Sequence, residues 1–98
     1  MKTPQEMRDI NVKCAELLSL EYKVVNINFI AVNGMIFSIF TSYADLMAVA
    51  EKLDLTIQRR LAKVLDDYAC HRGGECLKSS KSMRKAILEC VIAVVEGL

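Results

Sequence analysis

The stretch from Val24 to Ser42, VVNINFIAVNGMIFSIFTS, constrains this chain more than any other. Two apolar runs flank Asn33-Gly34, the dipeptide best suited to the two positive-φ positions of a type I′ turn. A hairpin closed there sets Val32 opposite Met35, Ile30 opposite Phe37, Asn28 opposite Ile39 and Asn26 opposite Thr41. Its other face then carries Val25, Ile27, Phe29 and Ala31 against Ile36, Ser38 and Phe40. Both faces are largely apolar, and an isolated hairpin is marginal in water even with one face buried. The expectation is a hairpin between layers, with its own helices on one side and more helix or a second subunit on the other.

Helical signals surround it. Thr3-Pro4-Gln5-Glu6 reads as an N-cap, a proline at the first helical position and a capping-box glutamate. Met7, Ile10, Cys14, Leu17 and Leu18 then repeat at helical spacing, giving one helix to about Leu20. At Ser42 the period changes from 2 to 3.6: Ser42 and Asp45 start a helix whose stripe is Leu46, Val49, Ala50 and Leu53. Residues 54–72 admit two readings. Ile57, Leu61, Val64, Leu65, Tyr68 and Ala69 form a helical stripe, with His71 and Arg72 in its last turn and Gly73 at C′. Leu55, Ile57 and the run Asp67-Tyr68-Ala69-Cys70 could instead be short strands, and the stripe makes helix the preferred reading. A last helix starting between Lys78 and Ser82 carries Met83, Ile87, Leu88, Val91, Ile92 and Val95.

Ninety-eight residues suffice for one domain with its own core. An apolar content of 53% excludes a disordered chain and exceeds what one small core can use, which favours a homo-oligomer. Thirteen Lys and Arg against 12 Asp and Glu leave no global charge signal for nucleic acid. Three Phe, three Tyr and no Trp, mostly at core positions, give no base-stacking surface either. The N-terminus has no apolar leader core and no run is long enough to span a bilayer, so a cytoplasmic protein with reduced thiols and no membrane partner is expected.

The segment Arg72 to Lys85, RGGECLKSSKSMRK, is the strongest local anomaly, with five basic residues and one acidic. Lys81, Arg84 and Lys85 at a helix start oppose the macrodipole unless an anion is present. With the hydroxyls of Ser79, Ser80 and Ser82 this suits a phosphate-bearing small molecule or nucleotide, and the candidate ligand residues are Lys78, Ser80, Lys81, Arg84 and Lys85. It is not a P-loop, because no Gly-Lys-Ser/Thr occurs. The alternative is a solvated loop and polar helix face. Cys70, His71 and Cys76 offer three possible metal ligands where a structural zinc site needs four, and a Cys70–Cys76 disulfide is disfavoured in a reducing cytosol. No metal and no cofactor are expected. His71 is the only histidine, and the adjacent Asp66-Asp67 would diverge by about 100° on a helix, so no catalytic residues are assigned.

Three stretches, Ile10–Leu18 (INVKCAELL), Thr41–Leu53 (TSYADLMAVAEKL) and Met83–Ala93 (MRKAILECVIA), are similar to a group of small proteins encoded by tailed phages and prophages, the phage ABA-sandwich type. That resemblance implies helix/sheet/helix layering with strands from residues 54–72. It also implies an accessory role: binding a host enzyme, or sequestering a nucleotide signal used in host defence. It implies no catalytic residue. The reading is a helix-rich α+β single domain, three or four helices packed around an antiparallel β-hairpin. Its function is non-enzymatic binding of a phosphate-bearing small molecule, or alternatively of a host protein through the apolar hairpin or last helix.

Overall fold

The computed structural model describes residues 2–61 and 66–98, in an α+β fold of three helices and two three-stranded antiparallel sheets. The first helix, α1 (Pro4–Leu17), starts on the expected capping box: Glu6 N–H donates to Thr3 Oγ1 and Thr3 N–H to Glu6 Oε1, both at 3.2 Å. It stops short of Leu20 because Ser19 turns left-handed at φ +57°. Strands β1 (Lys23–Val24), β2 (Ile30–Val32) and β3 (Met35–Phe37) form the first sheet in sequence order. Asn33 and Gly34 take φ +54° and +78°, and Val32 faces Met35 while Ile30 faces Phe37. This much of the hairpin follows the expected register.

The two further pairs, Asn28 with Ile39 and Asn26 with Thr41, do not form, because Asn26 closes a turn of its own. Its Oδ1 accepts from the N–H groups of Asn28 (2.7 Å) and Phe29 (3.0 Å), an Asx turn that folds β1 back onto β2. The chain leaves β3 through Ser38 to Ser42, whose hydroxyl caps α2 (Tyr43–Lys52) by accepting from Asp45 N–H.

Residues 54–72 are strands where they are described, and the helix preferred from periodicity is not formed. After Asp54, left-handed at φ +58°, come β4 (Leu55–Leu61), β5 (Asp66–Arg72) and β6 (Glu75–Ser80), with β5 central. Val64 and Leu65 of the expected stripe lie outside the described residues. The physical reason is non-local. Every described residue of β4 pairs with β5, Leu55 with Arg72 through Leu61 with Asp66, and β5 pairs again with β6. Gly73 and Gly74, at φ +61° and +86°, close a two-residue hairpin rather than capping a helix. Among the described residues there is no fourth helix.

The last element, α3 (Met83–Glu96), is capped by Ser82, whose hydroxyl accepts from Lys85 N–H. It packs on α1, α2 and all three strands of the second sheet, and its Ala86, Ile87, Cys90, Val91, Val94 and Val95 are buried. One core results, in which Ile30, Phe37 and Ile39 meet Ile10 and Cys14 of α1, Leu46 and Val49 of α2, and Ile87 and Val91 of α3. The chain measures 47 × 25 × 22 Å with a radius of gyration of 14.1 Å, above the ~13 Å of a compact domain this size. In sheet two β6 ends opposite Tyr68, while the β4–β5 ladder continues to Leu61 and Asp66.

Candidate functional site

Three places on the molecule carry side chains that the fold does not consume. The first is the basic stretch singled out from the sequence, which the fold spreads out. Lys78, on β6, pairs with Cys70 of β5 and borders the second half of α3, sharing a cavity with Lys2, Glu89 and Glu96. Ser80 stands opposite Tyr68, and its hydroxyl accepts from Ser82 N–H at 3.3 Å. Lys81 follows, close enough to Asp67 to help hold that carboxyl below the usual range, a shift set first by the Arg60 guanidinium. Arg84 turns the other way and donates from Nη2 to the Phe40 carbonyl at 3.3 Å. Lys85 is exposed, its N–H spent on the Ser82 cap. Lys78 thus lies beside carboxylates along the helix, while Arg84 and Lys85 belong to its first turn.

The second place is the cysteine and histidine cluster. Cys70 and His71 are neighbours in a strand and project to opposite faces of the sheet. Cys70 is fully buried against Cys90 of α3, whereas His71 pairs with Thr56 and Cys76 across the ladders. Among the described residues no three His, Cys, Asp or Glu side chains come together as metal ligands. The His71 Nε2 is buried without a partner, and that is a cost rather than a site. Burial pushes the Cys14 and Cys70 thiols up to about 12 and raises that of Cys90, so these three behave as small hydrophobes. Native protein treated with a maleimide at pH 7.5 should therefore be modified at Cys76 alone, the one exposed thiol, and at all four after denaturation. Rapid native labelling of a second cysteine, read by intact mass, would contradict this burial.

The third place is the first sheet with the groove at its edge. Ile30 and Phe37 point into the core, so Ala31 and Ile36, one residue along, point away from the helices. Val25 joins their side, its N–H donating to the Phe29 carbonyl at 2.9 Å. Val24, Val25, Ile27, Phe29, Met35 and Ile36 are all exposed, Ile27 at 61% and Met35 at 74%. The hairpin is apolar on both faces, as expected; the core covers Ile30 and Phe37 on one side, while Val24 and Met35 of that side and Val25 and Ile36 of the other stay exposed.

Beside Phe29 lies a cavity of about 220 Å³ bounded by Pro4 and Met7 of α1 and by Phe40 and Thr41 ahead of α2. Asn11 and Ser38 line it and are 3% and 5% exposed. Asn11 Oδ1 accepts from Ile39 N–H at 2.9 Å, and its Nδ2 donates to Ser38 Oγ at 3.4 Å. Asn11 was missed as a candidate because it falls inside an otherwise apolar face. Its spacing, four residues after Met7 and three before Cys14, is the signal that could have found it.

No protein-family model, no curated protein and no solved structure matches this chain. No helix among the described residues is long and apolar enough to cross a membrane.

Proposed function

We propose that this chain is a non-enzymatic binding protein, a phage accessory module of the kind its sequence resemblance implies, that docks on a host protein through its first sheet. The observation that carries the reading is the group of large apolar side chains Val25, Ile27, Phe29 and Ile36, each at least 41% exposed, with Val24 and Met35 also exposed at the margins of the other side. Single exposed apolar residues are ordinary, whereas a cluster within one small sheet is the surface feature of an interaction site. Covering it would gain on the order of 25 cal/mol per Å² of apolar area, which a charged substitution at its centre forfeits.

The test is quantitative co-purification of bound proteins from the cells in which the chain acts. Ile36→Asp, at an exposed position, should leave the fold intact and reduce partner recovery at least 10-fold. Lys81→Glu with Lys85→Glu, both exposed and away from this sheet, should leave recovery within about twofold. Partner recovery unaffected by Ile36→Asp would sink the reading. The homo-oligomer expected from composition would use the same face in a second copy, and light scattering of the purified wild type and Ile36→Asp separates self-association from docking.

A second reading, sequestration of a phosphate-bearing small molecule, is favoured by one observation. The first turn of α3 contains no acidic residue, and Lys81 and Lys85 at its start are exposed. Retained nucleotide in native mass spectra, lost on charge reversal at Lys81 and Arg84, is the result that would support it. The divergence of Lys78 from Arg84 counts against one site built from all five candidate residues.

A further inference from the structure

We infer that the cavity beside Phe29 is an anchor pocket for one apolar side chain of a partner peptide, with an adjacent carboxylate received by Arg84. The inference rests on the protein-docking reading and names the chemistry that reading leaves open. At about 220 Å³ the cavity is smaller than the ~300–1,000 Å³ of drug-sized sites and matches a single leucine or phenylalanine side chain. Met7, Phe29 and Phe40 supply apolar walls, and Met7 is flexible enough to adapt to the shape that enters.

The polar groups at the bottom are buried and unequally satisfied. Asn11 Oδ1 already accepts from Ile39, and Ser38 Oγ accepts from both Asn11 Nδ2 and Phe40 N–H. The second Nδ2 hydrogen of Asn11 and the hydroxyl hydrogen of Ser38 have no acceptor among the described residues. The pocket therefore offers donors, which suit a peptide carbonyl.

Charge selects the neighbour of the anchor. Arg84 lies against the Phe40 rim and uses one donor there, and among the described residues no carboxylate is within ion-pair distance of it. The starts of all three helices also meet at this end: Pro4 opens α1, Thr41 precedes the α2 cap, and Arg84 is in the first turn of α3. The α3 start, with no acidic residue in its first turn, adds partial positive charge to the guanidinium, whereas Glu6 and Asp45 offset the starts of α1 and α2. The acidic groups of these turns are engaged, since Glu6 accepts from Thr3 N–H and Asp45 from Ser38 N–H. A carboxylate beside the apolar anchor is the complement, and a cationic neighbour is rejected.

N-acetyl-phenylalanine and its uncharged amide, titrated by NMR, isolate these terms. The acid should give saturable shifts at Met7, Phe29 and Phe40 with a Kd on the order of 1 mM for so small a probe. The amide should bind at least 5-fold more weakly. Arg84→Gln should erase that difference, and Met7→Trp, which fills the cavity from a half-buried position, should abolish binding of both while the remaining spectrum stays native. No saturable shift at these residues, or equal binding of acid and amide to the wild type, overturns the inference. The two proposals fail separately: a partner lost by Ile36→Asp but retained by Met7→Trp removes the pocket and leaves the docking face.

Discussion

Replacing Asn11 by alanine is expected to lower the free energy of unfolding by about 2–4 kcal/mol, a large fraction of what a domain of this size possesses. The magnitude follows from what the side chain leaves behind. Ile39 N–H, on a residue with no solvent exposure, loses its acceptor among the described residues, and a buried unsatisfied donor costs about 1–3 kcal/mol. Ser38 Oγ loses a donor, and the space vacated next to an existing cavity collapses poorly. The exposed rim residue Asn28 is the control: Asn28→Ala should change stability by less than about 0.5 kcal/mol. Urea unfolding of both variants measures the difference. Equal midpoints would show that Asn11 does not hold β3 to α1.

Ile87→Ala should cost about as much, roughly 2–5 kcal/mol. Ile87 is 1% exposed on the helix that touches α1, α2 and the whole second sheet, so the void it leaves is bounded by elements that cannot all close on it. The same truncation at Met83, 39% exposed one turn earlier, should be nearly neutral. A loss below about 1 kcal/mol at Ile87 would mean that α3 is not the helix that fixes the second sheet to the core.

How much of this was legible in the sequence follows from the range of each interaction. The caps at Thr3 and Ser42 and the Asn33-Gly34 turn are made within four residues, and all three read correctly. Asn26 was the local exception, since its Asx turn competes with a longer ladder that the apolar run favours equally. Residues 54–72 went wrong for the opposite reason. Ile57, Leu61, Tyr68 and Ala69 satisfy a helical stripe, yet Leu55, Ile57, Arg59 and Leu61 also alternate with Thr56, Gln58 and Arg60 at period 2. What decides between them is pairing across the sheet, including the Arg60–Asp67 bonds of 2.8 and 2.7 Å, and no window of sequence contains that. The strand alternative read from Leu55, Ile57 and Asp67–Cys70 was the less favoured of the two, and it is the one the fold adopts.

The candidate site fared likewise. Lys78, Ser80, Lys81, Arg84 and Lys85 cluster in sequence, but strand alternation and the Ser82 turn into α3 direct Lys78 toward Glu89 and Glu96 and Arg84 toward Phe40. The apolar face of the hairpin was visible in the pattern from the start. Asn11 and Ser38 were not, because a buried polar pair 27 residues apart announces itself only after folding.

The most direct measurement on the central claim is oxidative footprinting of the co-purified complex. Met35 is 74% exposed next to Ile36 at the tip of the hairpin that carries the docking face, and peroxide converts an exposed methionine to the sulfoxide. The account predicts that partner binding slows Met35 oxidation at least 10-fold while Lys81 and Lys85 remain open to acetylation. Unchanged oxidation of Met35 together with protected lysines would contradict it and move the working surface to the start of α3.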